Sequence, residues 1–248
     1  MPAISSKVAD FVLHDWGVCV PGLPGKNDWG DFRFSAPKCY RTLPKVPDFI
    51  PKLQQRRLSP LAKMVFNAIE QCLQPGEILP TVFSSAHGEV GKALEMLQTI
   101  QAGEELSPTA FSLSVHNAIA GLYSIAYANQ QEITVIAPGR EGIAPAFIEA
   151  LGILQEGAVQ VLVVFYDEPI AEFYPVAPFK LNADFPCALA LRLSFSGEGM
   201  ALRLSRAPKV GESGEQPQQL PPFIDFLLDD SSGSSLSFQG HGWRWEKM

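Results

Sequence analysis

Ile133-Thr134-Val135-Ile136-Ala137-Pro138-Gly139-Arg140-Glu141-Gly142 is the stretch on which the reading of this chain turns. Four β-branched residues in a row predict a short strand. A proline and two glycines then predict a tight turn. An Ala- and Ile-rich run to Leu154 predicts a helix that opens directly after it. A helix N-terminus stabilises a thiolate, so a turn of this kind suits a nucleophile. Here residues 137–142 contain no cysteine, serine or threonine. The turn is therefore expected not to attack a carbonyl.

Upstream, residues 9–20 read as a strand interrupted by Gly17, followed by a Pro/Gly loop over 21–30 and an irregular stretch over 31–58. Ser59-Pro60 is an N-cap with proline at the first helical position, and Leu61, Met64, Val65, Ile69 and Cys72 give one apolar stripe. Ile78 to Ser84 predicts a buried strand. Glu89 to Ile100 predicts a helix with Val90, Leu94, Leu97 and Ile100 inward. Ser107-Pro108 opens a third helix, expected to run through Tyr127 and to carry Phe111, Val115, Ile119, Leu122 and Ile125.

Downstream, Gly157 caps the long helix, and Val159 to Phe165 is an unbroken apolar run expected to be a central strand covered on both faces. Residues 187–193 and 200–205 alternate and predict a hairpin around Ser196-Gly197-Glu198-Gly199. Residues 222–228 read as helical. This order predicts an α/β fold with three layers, a mixed central sheet between helices. It divides into a main domain over 1–206, a polar linker over 207–219 and a short C-terminal appendage over 220–248. Trp243 and Trp245 in that appendage suit either core strand positions or interface anchors.

Composition excludes several function classes. A net charge of −7 argues against a nucleic-acid surface. Arg56-Arg57, beside Lys52 and Lys63, either solvates a helix start or docks an acidic partner. No run of eighteen apolar residues suggests a membrane span, and the N-terminus lacks an apolar signal core, so a cytoplasmic protein is expected. Cys19, Cys39, Cys72 and Cys187 form no CxxC pair and read as reduced, buried thiols. His14, His87, His116 and His241 lack ligand spacing, so neither metal nor cofactor is expected.

The order of elements resembles a ketoacyl synthase of the thiolase superfamily. Ser107-Pro108 ahead of Asn117-Ala118-Ile119-Ala120-Gly121 is similar to the family's helix before the nucleophile strand. Residues 134–142 sit where its nucleophile elbow lies, with Gly139 or Arg140 at the position of the catalytic cysteine. Residues 156–164 resemble the helix end and strand that follow. Pro178-Phe179-Lys180 and the segment Cys187 to Leu193 resemble the end of the N-terminal half. The likeness covers roughly residues 8–205, and the short chain-length factor of aryl polyene biosynthesis is its nearest type. The glutamine common at the elbow of chain-length factors is missing here, as is a second thiolase half with its two catalytic histidines. Decarboxylative condensation needs a thiolate and imidazole donors for the enolate oxygen, which this chain does not supply alone.

A rival site is Ser84-Ser85-Ala86-His87-Gly88-Glu89. Neighbours in sequence seldom reach triad geometry, and the G-x-S-x-G elbow is absent. Ser84 or Ser85 as an N-cap is the plainer reading. His116-Asn117 reads either as a hydrogen-bonded core pair or as a pair near a partner's channel.

What the resemblance implies is a non-catalytic subunit. It would form a heterodimer with a full-length ketosynthase, meet the acyl carrier protein through that complex, and shape the polyene channel. Strand residues Ile133, Thr134, Val135 and Ile136 would form the dimer seam. Thr109, Phe111, Leu113, Ser114, Val115, His116 and Asn117 would approach the channel. Two other readings stay open: a stand-alone acyl-thioester hydrolase or diverged condensing enzyme using Ser85 or Cys187, and a homodimeric scaffold.

Overall fold

The computed structural model describes residues 6–22, 26, 29, 44–74, 76–170, 183, 185–208, 219–233, 235–237 and 242–248. The N-terminal half of the 31–58 stretch, Cys39, Pro178–Lys180, most of the 207–219 linker and His241 lie outside them. The elements run β1 (Ser6–Cys19), α1 (Lys52–Gln55), α2 (Pro60–Glu70), β2 (Thr81–Ser84), α3 (Val90–Gln101), α4 (Pro108–Ser112), α5 (Ala118–Tyr127), β3 (Ile133–Ile136), a 3-10 turn (Gly139–Glu141) and α6 (Ala144–Gln155). Then follow β4 (Val161–Asp167), β5 (Cys187–Ser194), β6 (Met200–Arg206), α7 (Leu220–Leu228), β7 (Ser235–Ser237) and β8 (Trp243–Lys247).

The eight strands among the described residues form one sheet in the order β3-β2-β4-β5-β1-β6-β8-β7. β3, β2 and β4 are parallel; the remaining pairings are antiparallel. One core lies between the sheet and α6 with α7, centred on Phe147, whose ring meets Phe11, Phe165, Phe223 and Trp245 at 5.5–5.8 Å between centroids. The other lies between the sheet and α2 with α5, and holds Val65, Phe66, Phe83, Tyr123 and Tyr166. This is the three-layer architecture with a mixed central sheet that the element order implies. β4, in the middle, is buried along its whole length, because both of its faces meet a core.

Local chemistry explains the main elements. Ser59 accepts from Ala62 N at 2.9 Å and caps α2, with Pro60 at the first helical position. Gly17 lets β1 pass close under α2, where a Cβ would collide with the Ala68 carbonyl.

Five expectations need correction. The helix from Ser107 does not reach Tyr127; it breaks at 113–117 into α4 and α5. Ser112 and Ser114 hydroxyls bond back to the carbonyls of Thr109 and Phe111, competing with the helical ladder, and His116 is held from outside it. Phe111, Val115 and Ile125 are consequently exposed, and only Ile119 is fully buried. The apolar side of α3 is not inward either: Leu97 and Ile100 are more than half exposed. The central strand starts at Val161, and Val159 lies in solvent ahead of it.

The segments 187–194 and 200–206 are not a hairpin. β1 inserts between β5 and β6 and pairs antiparallel with both. The sequence pattern is the same in either case, because successive side chains turn to opposite faces of the sheet whichever strand lies alongside. Finally, residues 220–248 are built into the domain. α7 buries Leu220, Phe223, Ile224, Phe226 and Leu227, and β8 pairs with β6 while burying Trp243 and Trp245. Of the two roles open to these tryptophans, both take the core strand position.

Candidate functional site

The parallel strands β3, β2 and β4 end side by side, which brings three loops together at one end of the sheet. Ser85 N donates to Ile136 O at 3.1 Å, joining the loop after β2 to the end of β3. Beyond Ile136 lies the elbow. Gly139 has φ +56, a left-handed value that glycine adopts freely. Arg140 is exposed, Glu141 half-buried, and Trp243 Nε1 donates to Glu141 Oε2 at 2.7 Å. The turn after β3 carries Gly139 and Arg140, and neither side chain is a nucleophile that could attack a thioester.

The loop after β2 is fixed by buried hydrogen bonds. Asp167, at the end of β4, accepts from Ser85 Oγ at 2.9 Å and from Ala86 N at 3.0 Å. Ser85 Oγ in turn accepts from Gly88 N at 2.7 Å and His87 N at 3.3 Å. Every bonding position of that hydroxyl serves the loop, and Ser85 is fully buried. It caps the turn rather than helix α3, whose N-cap residue is Glu89. This arrangement does not support Ser85 as a nucleophile. Cys187 fares no better: complete burial pushes its thiol well up, away from the thiolate. Cys19 and Cys72 are buried free thiols pushed up to about 12 by desolvation.

His116 lies in the turn between α4 and α5, not within a helix, and its Nε2 bonds the carbonyl of Ser85 at 2.9 Å. Gly88 packs against it so closely that a Cβ would lie 2.9 Å from the His116 Cα. His116, half-buried, therefore ties the α4–α5 connection to the loop, while Asn117 beside it is exposed, so the two do not form a buried pair. Two buried-side acids flank this network. Glu89 accepts from Ser59 Oγ at 2.6 Å and lies 3.6 Å from Lys92. Glu168 is pushed up to about 7, first by desolvation and then by the charges of Glu89 and Glu95. Residue spacing gave no sign of this pair, because Glu89 and Glu168 meet only through the β2–β4 pairing.

A cavity of about 340 Å³ opens between α3 and α4, lined by Met96, Thr99, Leu106, Ala110 and Leu113 among others. Of the channel candidates, Leu113 lines it, and Ser114 Oγ reaches Met96 Sδ at 3.9 Å. Thr109, Phe111 and Val115 point elsewhere and are exposed. Phe111 and Val115 are thus exposed apolar side chains, as are Leu97 and Ile100 of α3 and Leu106 of the connection to α4.

β3 is the edge of the sheet among the described residues. Glu132 O and Ile136 O accept from Thr81 N and Ser85 N of the β2 side. Backbone direction alternates along a strand, so Ile133 and Val135 turn their N–H and C=O groups to the open edge. Their side chains pack on the α2/α5 core, whereas Ile136 packs on the α6 core and Thr134 Oγ1 donates to Glu149 of α6 at 3.0 Å. Among the described residues no cluster of His, Cys, Asp or Glu could hold a metal, and no helix is long and apolar enough to cross a membrane.

No curated protein matches the chain in sequence. Among solved structures, the chain superposes on one from the ketosynthase (ApeO) in complex with its chain length factor (ApeC) of Xenorhabdus doucetiae. The TM-score is 0.73 at 23% identity, covering 97% of this chain and 99% of that one. The ishigamide ketosynthase/chain length factor gives 0.53 at 16% identity over 80% of this chain and 66% of that one. A beta-ketoacyl synthase from Burkholderia phymatum STM815 gives 0.52 at 12%, over 76% and 60%. At these identities the likeness establishes the thiolase-like fold. The sequence itself fits the beta-ketoacyl synthase N-terminal domain over residues 35–246, from ahead of α1 into β8. On that match, the chain belongs to the beta-ketoacyl synthase N-terminal domain family.

Proposed function

We propose that this chain is a non-catalytic, chain-length-factor-like subunit that pairs with a full-length ketosynthase and shapes its acyl channel. The observation that carries the proposal is the turn between β3 and α6, which holds Gly139-Arg140 and no nucleophile; in this reading it is where the attacking thiolate of a condensing enzyme would stand. The open edge of β3 and the exposed apolar side chains of α3 and α4 support it, since both need a covering partner. The match along nearly its full length to a chain from a ketosynthase–chain length factor complex supports it as well. In this reading the partner supplies the cysteine and the histidines, and β3 pairs with the partner's equivalent strand. The channel runs past α4, the acyl carrier protein serves the assembled complex, and the work is polyene synthesis of the aryl polyene type in the cytoplasm.

Co-expression with a full-length ketosynthase tests this. The expected result is a one-to-one complex by mass that condenses acyl and malonyl thioesters, with no turnover by this chain alone. A monodisperse monomer that ignores the ketosynthase, a homodimer that excludes it, or thioester hydrolysis by the isolated chain would each overturn the proposal.

A further inference from the structure

His14 sits at a bulge in β1, between Leu13 and Asp15, where β1 carries an extra residue against β5. A bulge re-aims the side chain it carries. The ring reaches the connection between β5 and β6, residues 195–199, and joins a chain of short hydrogen bonds there. Nδ1 lies 2.7 Å from the Glu198 carbonyl oxygen, and Nε2 lies 2.6 Å from Ser194 Oγ. Ser194 Oγ donates to Ser196 O at 2.6 Å and accepts from Ser196 N at 3.2 Å. Two glycines let the connection lie this close. Gly197 has φ +121, and a Cβ on it would stand 2.8 Å from His14 Cε1; Gly199 has φ +148, and its Cβ would strike the Leu13 carbonyl.

The protons in this chain can be assigned, because a carbonyl oxygen only accepts. Nδ1 must carry a proton to bond Glu198 O. The Ser194 hydroxyl must give its own proton to Ser196 O. Nε2 then faces an oxygen that has no proton left to donate, so Nε2 must carry one too. All these contacts coexist only when both ring nitrogens are protonated. A neutral ring breaks the chain in either tautomer. Without the Nδ1 proton, the Glu198 carbonyl is released. Without the Nε2 proton, His14 and Ser196 O compete for one hydroxyl proton, and one of them is left without it. Ser194 is buried and its proton goes to a carbonyl, so the pair is not arranged as nucleophile and base. The charged side chains on the surrounding elements are Asp15 of β1, paired with Lys26 at 2.9 Å, Arg192 of β5, paired with Glu77 at 2.8 Å, and Arg203 of β6, paired with Asp10 at 2.7 Å. Glu198 of the connection itself is exposed.

We propose that His14 is a proton-operated clasp: charged, it fastens the β5–β6 connection to β1, and neutral, it frees one end of that connection. Histidine is the side chain suited to such a switch near neutral pH. Leu193 pairs with Val161 at the start of β4, so the clasp lies at the end of the sheet away from the elbow and does not rest on the ketosynthase-subunit reading. Hydrogen exchange of the full chain between about pH 5.5 and 8, read by mass spectrometry and corrected for intrinsic rates, tests it. As pH rises, protection across residues 195–199 should fall at least about tenfold further than across β4 and α6, which report opening of the whole fold. His14→Gln should flatten that difference by removing the titrating ring, and Ser194→Ala by removing the contested proton. No such difference in the wild-type chain would overturn the inference, and so would an unchanged difference in His14→Gln. If His14→Gln does not fold, Ser194→Ala decides on the same two outcomes.

Discussion

Trp243 Nε1 donates a 2.7 Å hydrogen bond to Glu141 Oε2, so β8 reaches back to hold the turn between β3 and α6. The Trp243 ring is buried and Arg206 stacks over it at 4.0 Å. The turn contains no nucleophilic side chain and is tied to the sheet through β8. That suits a surface meant to be packed against rather than to react.

Trp243→Phe keeps most of the ring and removes the donor. Hydrogen bonds to charged groups contribute about 1.5–3 kcal/mol, so denaturant melts should show a loss on the order of 1–2 kcal/mol. Assembly with a ketosynthase should weaken in parallel if the elbow lies at the interface. An unchanged melt would mean that the bond is dispensable to the fold.

Arg140→Ala should leave condensation by the assembled complex within a few-fold of wild type. The position contributes no attacking group, and its side chain is exposed. A loss on the order of a thousandfold in kcat/KM with assembly intact corresponds to about 4 kcal/mol of transition-state stabilisation, and would place Arg140 in the chemistry.

Much of this architecture is legible in the sequence, and the exceptions share a cause. Ser59-Pro60, the β-branched run at Ile133–Ile136 and the apolar run into Phe165 announce their elements, because capping chemistry and periodicity are local. The split of α4 from α5 escapes notice because the apolar spacing carries straight through Leu113–Asn117. Only the serine back-bonds and the His116–Ser85 contact show the break. The exposed Leu97, Ile100 and Phe111 mislead for a related reason. An amphipathic helix looks the same whether its apolar face meets its own core or another protein. The strand order β5-β1-β6 is a long-range fact that residues 187–206 do not contain. At the site, the absence of cysteine, serine and threonine from residues 137–142 is read directly from the sequence. The buried Ser85–Asp167 and Glu89–Ser59 links span 82 and 30 residues and come only with the fold.

Val135→Pro should abolish pairing with a ketosynthase while leaving the chain folded. Val135 turns its N–H to the open edge of β3, so proline there spares the bonds to β2 and removes a donor that only an incoming strand could use. Circular dichroism should stay native while size-exclusion chromatography shows the complex lost. Normal assembly of this variant would place the seam elsewhere.

Glu168 makes stability depend on pH in an unusual direction. Its carboxyl is held protonated up to about 7 in the fold, against 4.5 as the ordinary value. Between those values the native state binds more protons than the unfolded chain. Stability from this group is therefore full below about 4.5 and is lost as pH rises through about 7. Glu168→Gln should remove that dependence and stabilise the protein at pH 8 by about 1–3 kcal/mol. Melts of both forms from pH 5 to 8 check this, and parallel curves would refute it.

Phe111→Ala addresses the channel. Phe111 is the largest side chain in the turns opened by Ser107-Pro108, and it is 58% exposed on α4. Truncating a buried phenylalanine costs about 3–5 kcal/mol, but an exposed one leaves no cavity, so the loss here should stay below about 1 kcal/mol. A large apolar ring held in solvent on a surface helix is explained if a partner's channel ends against it. In the assembled complex, removing the ring should let the acyl chain extend by several carbons before it is blocked, with much of the rate retained. Mass profiling of the products, alongside melting curves of the complex, separates the possibilities. Longer products at unchanged stability make Phe111 the stop. Unchanged product length at unchanged stability moves the stop to the cavity side of α4, where Leu113 faces Met96 and Leu106, and Leu113→Ala becomes the variant that lengthens the product.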